Sequence, residues 1–278
     1  MTDRQQPALT FRRTAIFLLC LLPAGASRGQ DAAPSSPPPI VTDRPGFLFS
    51  SLTVGRGVVQ TEWGIPAVTA NGTAGVSSRL ASLFGLVRYG VTDNFELRLD
   101  SPVYNQSRIS VGGRTATDHG TGDLEVGAKW HPLDNHGARP SFALIPSVIV
   151  PTGGSGFTAG HPVYQLNAMA EWNLASGWGI GALAGYLNGL NGPSGGDRYG
   201  QETFGVSLGR SLPAPKWSAY GEALYVATNL AGAGDSSFLG GGIKYLATND
   251  IQLDLSFDRG LTADSPDWLF GLGLAARF

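Results

Sequence analysis

Apolar and polar residues alternate with a period of two through most of the chain beyond residue 56. In Phe95-Glu96-Leu97-Arg98-Leu99-Asp100 one face is Phe, Leu and Leu and the other Glu, Arg and Asp, a separation that a helix of about 3.6 residues per turn would scramble. Asp123-Leu124-Glu125-Val126-Gly127-Ala128-Lys129-Trp130 and Ile251-Gln252-Leu253-Asp254-Leu255-Ser256-Phe257-Asp258 repeat it. The same pattern marks strands near 57–65, 78–89, 95–104, 121–130, 141–151, 163–173, 178–187, 201–210, 217–227, 238–246, 251–258 and 268–278, an even count of twelve. The second is the least regular, because Leu80, Phe84 and Leu86 share a parity with Arg88 and blur its faces. Pro146, which lacks a ladder donor, suits a bulge or an edge-like position.

The connections sort by length. Those after even strands are short or intermediate, such as 90–94 and 131–140; those after odd strands are mostly long and rich in Gly, Ser and Asn, such as 105–120 and 188–200. An up-and-down meander follows, with short turns at one end and both termini on the same, periplasmic, side. Alternation alone leaves open whether the apolar face looks into a protein core, as in a soluble sandwich, or into lipid. Aromatic residues at the strand ends favour lipid. Tyr89, Phe95, Trp130, Phe142, Trp172, Trp178, Trp217 and Tyr245 mark the short-turn end, and Tyr104, Tyr164, Tyr186, Tyr225, Phe238, Phe257 and Trp268 the other. The segments are also near the roughly 9 to 11 residues a tilted strand needs to cross a bilayer. A last strand with apolar residues at alternate positions up to Phe278 is the form expected of a strand read by the barrel-assembly machinery. The expected fold is all-β, a transmembrane antiparallel up-and-down barrel of about 12 strands in the bacterial outer membrane, with outer-membrane lipid as its surroundings.

The remaining composition fits that reading. Arg4, Arg12 and Arg13 precede an apolar run from Ala15 to Leu22 and the small residues Ala24-Gly25-Ala26, so residues 1–26 are expected to be a signal peptide. Cys20, the single cysteine, leaves with it, and disulfides and thiolate chemistry leave too. Net charge is −2; removing three Arg and one Asp with residues 1–26 leaves 16 basic and 20 acidic groups, a balance that excludes nucleic acid as a natural partner. Residues 30–39, rich in Pro, Ser and Ala, read as linker, and 27–56 as a periplasmic linker or a lumen plug before a barrel over 57–278.

Several blocks carry a resemblance: Thr42-Asp43-Arg44-Pro45, Val87-Arg88-Tyr89-Gly90-Val91-Thr92-Asp93-Asn94-Phe95-Glu96-Leu97-Arg98, Gly122-Asp123-Leu124-Glu125-Val126-Gly127-Ala128-Lys129-Trp130 and Pro151-Thr152-Gly153. Over residues 42 to 278 the chain resembles the outer-membrane transporters labelled "MetA-pathway of phenol degradation". The resemblance implies a barrel that moves aromatic or other apolar compounds, and it brings no catalytic residue.

The residues offer no catalytic set and no cofactor site. His119, His131, His136 and His161 all fall in expected connections, and His131, Asp134 and His136 read as solvated turn residues rather than a metal site. Gly153-Gly154-Ser155-Gly156 lacks the Gly-Lys-Ser/Thr of a phosphate loop. The remaining chemistry is the polar face: Glu62, Glu96, Arg98, Asp100, Asp123, Glu125, Lys129, Gln165, Asn167, Glu171, Gln201, Thr203, Glu222, Lys244, Gln252, Asp254, Asp258 and Arg277 share the parity opposite the apolar band and would line the lumen. They either pair across strands or form a weakly acidic solute path. Twelve strands about 4.8 Å apart, tilted by about 40°, close at a backbone radius of roughly 12 Å, room for a small-molecule channel but not a wide porin. Gly179, Gly181, Gly185, Gly271 and Gly273 fall at inward positions and would widen the lumen or admit a plug. Function is expected to be passive passage of small apolar or aromatic solutes; the alternative is a closed structural or surface-interaction barrel acting through its long loops.

Overall fold

The structure, a computed structural model, describes residues 38–278 apart from 74–75, 191–195, 197 and 231. The expected signal peptide and the linker up to residue 37 lie outside the described residues. The strands are β1 (Val59–Thr73), β2 (Val76–Thr92), β3 (Phe95–Val111), β4 (Arg114–Gly120), β5 (Leu124–Leu133), β6 (Ser141–Val150), β7 (Val163–Asn173), β8 (Trp178–Leu190), β9 (Arg198–Ser211), β10 (Trp217–Asn229), β11 (Ser236–Thr248), β12 (Ile251–Gly260) and β13 (Trp268–Arg277).

All pairings are antiparallel, and the ring closes because β1 pairs with both β2 and β13 while β2 also pairs with β3. Twelve strands form the wall. β4 is a thirteenth that stands outside it, folding back on the far half of β3 from Asn105↔Gly120 to Val111↔Arg114. The stretch 105–120, read from its polar composition as a loop, is therefore a hairpin. Gly112 and Gly113, at φ +55° and +81°, make the two-residue turn that only residues free of a Cβ adopt readily. β1 likewise runs on to Thr73, well past its expected end at 65, to pair with β2, which begins at Val76, close to its expected start at 78. Polarity misled here because a strand outside the bilayer has no need of apolar residues.

The faces follow the period of two. β12 alternates exposed Ile251, Leu253, Leu255 and Phe257 with buried Gln252, Asp254, Ser256 and Asp258. In a soluble protein the leucines would be the buried set. Here Leu97, Leu253 and Leu272 are 50%, 44% and 46% exposed while Glu62, Glu96 and Lys129 are fully buried, which rules out the sandwich and turns the apolar face to lipid. One girdle aromatic is misplaced in the sequence reading. Phe238 stands opposite Leu224 on the inner face, 7% exposed, where its ring meets Phe47 at 5.2 Å. Two histidines also belong to strands rather than connections: His119 to β4, and His131 to β5, where its ring contacts the Phe142 carbonyl and Asp134 at 3.0 Å each.

Candidate functional site

The residues between 38 and 56 enter no strand, yet their partners come from around the barrel, so the segment crosses the lumen. At one end Ile40 N–H donates to Asn249 O at 2.7 Å and Arg277 Nη2 donates to Pro38 O at 2.7 Å. Gln252 donates to Thr42 Oγ1 at 2.8 Å, and Arg44 meets Asp254 at 3.4 Å. The amides of Asp43 and Arg44 donate to Glu62 at 3.0 Å each, that of Phe47 to Glu222 Oε2 at 2.9 Å, and that of Ser51 to Glu171 at 2.6 Å. An irregular segment with buried amides needs such acceptors, and inward carboxylates on β1, β7 and β10 supply them.

Asp43 is the centre of this arrangement. Its carboxylate receives Lys129 Nζ at 2.8 and 3.0 Å and Arg98 Nη1, and also takes the Ser50 amide at 2.9 Å. Arg88 Nη1 lies 3.7 Å away. Arg88 in turn forks onto Glu96 at 2.8 and 3.0 Å and reaches Glu62 at 2.9 Å, while its remaining donors go to the carbonyls of Val41 and Leu52. Three cations (Arg88, Arg98, Lys129) thus balance three anions (Asp43, Glu62, Glu96), and one anion comes from the segment. Burial opposes the charge on Asp43, yet the adjoining Arg88, Lys129 and Arg98 outweigh it and hold its carboxyl well below the usual carboxylate range.

Beyond the charges, Phe47, Leu48 and Phe49 pack against Ile145, Met169, Leu183, Leu224 and Phe238, an apolar patch on the inner wall. Inward glycines make room for the approach. A Cβ at Gly181 would lie 3.3 Å from Leu48, and Cβ atoms at Gly64 or Gly273 would collide with the Arg44 guanidinium. Beside the segment a cavity of about 540 Å³ remains, bordered by Leu48, Met169, Glu171, Gly179, Gly181, Ser207, Tyr220, Glu222, Lys244 and Gln252.

The polar residues picked out by parity therefore divide. Glu62, Glu96, Arg98, Lys129, Glu171, Glu222, Gln252, Asp254 and Arg277 all touch the segment. Asp123 binds instead the amides of Gly153 and Ala159 in the loop after β6. Asp100 and Glu125 stand opposite each other in register, and Gln165 and Asn167 lie on β7 facing β6 and β8. Lys244 lies 5.8 Å from the Tyr220 ring. Parity missed Arg88, whose strand carries the apolar Leu80, Phe84 and Leu86 at the same parity, and it could not reach Asp43 or Arg44. Both motifs that hold them were nonetheless visible as blocks.

The family described as "Putative MetA-pathway of phenol degradation" matches residues 42–278. Among solved structures, an outer-membrane channel from Pseudomonas putida F1 is 15% identical with a TM-score of 0.58, covering 84% of this chain and 99% of that one. The translocator domain of the autotransporter NalP from Neisseria meningitidis gives 14% and 0.54, over 81% and 89%. The transport unit of the autotransporter AIDA-I from Escherichia coli gives 10% and 0.54, over 84% and 94%. Among curated proteins none matches significantly. The shared fold is that of outer-membrane barrels, and with its apolar face turned to lipid this chain is a β-barrel of the bacterial outer membrane.

Proposed function

The chain belongs to the family of the MetA-pathway of phenol degradation, and from that premise we propose that it is a passive outer-membrane channel for small, mainly apolar or aromatic solutes. The observation that carries this reading is the cavity left between the crossing segment and the wall of β7 to β11. The border of that cavity is partly apolar, through Leu48, Phe49 and Met169, which suits a solute that brings few hydrogen bonds of its own. The role is passage, with no bond made or broken. In this orientation the short turns and residue 38 face the periplasm and the β3–β4 hairpin faces outward. β13, with Trp268, Phe270, Leu272 and Leu274 toward lipid, is the strand that the assembly machinery would read.

Liposomes carrying the full chain should swell in small neutral aromatic or aliphatic solutes. No permeation by any small solute would overturn the reading. One observation favours a second role, a closed barrel acting at the cell surface: β4 projects a hairpin beyond the wall. Deleting 109–116 should then abolish binding of a surface partner and leave permeation unchanged.

A further inference from the structure

Two arginines stand side by side on the outside of the barrel. Ser82 on β2 and Asn105 on β3 are buried and joined by a hydrogen bond of 2.6 Å, which fixes their side chains on the inner face. From that pair the β2–β3 register runs without a shift to Val76↔Val111, and Arg79↔Arg108 is one of its steps. Each arginine lies three residues from the inward pair, so both point outward, and both are exposed. Below them the same face carries Tyr104 and, across the irregularity between Leu83 and Phe84, Leu99 and Leu97, all turned to lipid. Arg108 lies four residues beyond Tyr104, about 13 Å along the strand and about 10 Å in height at a tilt of about 40°.

Like charges directly opposite each other in an antiparallel ladder are destabilising, their Cβ atoms being about 5 Å apart. Nothing in the chain relieves this pair. Among the described residues neither arginine has a side-chain hydrogen bond or ion pair. The adjoining steps on the same face are Ala81↔Gln106 and Ser77↔Ser110, with Thr117 of β4 opposite Arg108 and His119 opposite Gln106, and none is a carboxylate. Asp118 falls on the opposite face, across from Ser107. Followed the other way, the row runs from Arg79 through Ala70 and Trp268 to Arg259 of β12, whose guanidinium lies 4.2 Å over the Trp268 ring. Three strand spacings, about 14 Å, separate it from Arg79.

We propose that Arg79 and Arg108 form a binding site for the phosphate of an outer-leaflet lipid, with Arg259 on Trp268 as a second contact for the same headgroup. A phosphate set between two guanidiniums accepts hydrogen bonds from both forks and replaces their repulsion with two attractions. The occupant is a lipid because the arginines continue the lipid-facing band: chains lying on Leu97, Leu99 and Tyr104 bring their headgroup up to this level, and the tyrosine marks the interface. A free phosphate or a phosphorylated peptide has no chains to lay on that band. A zwitterionic headgroup brings an ammonium that the arginines repel. The site rests on the orientation given above, with the β3–β4 hairpin outward, and not on the passage of any solute.

The test uses the full chain in a neutral detergent, with diphosphoryl lipid A and the same lipid stripped of its phosphates as probes and retention in native mass spectrometry as readout. The wild type should hold the phosphorylated probe about tenfold or more tightly than the stripped one, the scale of hydrogen bonds to charged groups. Arg79→Gln combined with Arg108→Gln should lose most of that preference while the heat-modifiable gel mobility is kept. Arg210→Gln, at the other rim where the guanidinium lies 4.9 Å over the Trp178 ring, should lose none of it. Equal binding of the two probes by the wild type, an undiminished preference in the double variant, or an equal loss in Arg210→Gln overturns the site. Displacement of the bound lipid by an equimolar amount of inorganic phosphate would make it a free-phosphate site and overturn it as well. The leaflet is tested on intact cells with a membrane-impermeant maleimide and Thr115→Cys, Cys20 being the only other cysteine of the chain. Labelling is expected, and its absence overturns the outer-leaflet assignment. None of these readouts involves permeation, so liposomes that fail to swell remove the channel reading and leave the lipid site standing.

Discussion

Asp43 shows how much one side chain outside the wall can organise. It sits in a segment without secondary structure, yet three cations from β2, β3 and β5 converge on it. Removing one partner from a buried ionic cluster costs about 3 to 5 kcal/mol, because the others stay buried without compensation. Asp43→Asn should therefore loosen the segment, seen as faster proteolysis within 38–56 in the purified protein, with the barrel's heat-resistant gel mobility kept. The pH dependence has a definite sign. Asp43 is held well below its ordinary value, so its contribution is complete above the pKa of the freed carboxyl, about 4, and is lost only as pH falls through the lower bound value. The difference in protection between wild type and Asp43→Asn should be constant from about pH 7 to about 5; a difference already shrinking at pH 6 would contradict this account. Little of this was legible in the residues alone. Alternation finds residues on strands, so Glu62, Glu96, Arg98 and Lys129 emerge, whereas Asp43 has no period to betray it and Arg88 is hidden by apolar residues of its own parity.

At the scale of elements the sequence was far more readable. The wall strands follow from a period that lipid on one side and charge on the other enforce residue by residue, and the sequence reading departs from the structure at β4, at the extensions of β1 and β3, and at Phe238, whose aromatic ring serves the inner packing. The same structure changes what an inward substitution should cost. Arginine at an inward position would be cheap in an open, wet lumen, but Glu96 and Gln252 are buried against the segment, and a Cβ at Gly271 would already press on Ser256. Gly179 is the inward position with room, since a Cβ there meets only the Trp172 carbonyl, at 3.6 Å, and it borders the cavity. Leu253→Arg, facing lipid, should lose about 2 to 4 kcal/mol in reversible urea unfolding from liposomes, and Gly179→Arg clearly less. Equal losses would mean that the lipid and lumen faces have been interchanged.

For the whole molecule, the ring and its contents are separable. Closure rests on the β1–β13 ladder, from Gln60↔Arg277 to Ala70↔Trp268, and on β2–β3, none of which involves the segment. Deleting 38–54 removes Asp43 and leaves Arg88, Arg98 and Lys129 facing Glu62 and Glu96, one positive charge in excess. That excess would be severe in a dry interior. It is modest once water replaces the segment, because the interaction between charges falls with the rise in local dielectric constant. The apolar patch of Met169, Leu183 and Leu224 also loses its cover, a cost that detergent or an apolar solute can relieve. The truncated chain should still assemble into a heat-modifiable barrel, and its single-channel conductance in planar bilayers should rise severalfold over the wild type, as a lumen of roughly 12 Å backbone radius fills with electrolyte. If the truncated barrel assembles and conducts no better than the full chain, the segment does not lie in the path of the ions, and the passage must then be sought away from the cavity beside β7 to β11.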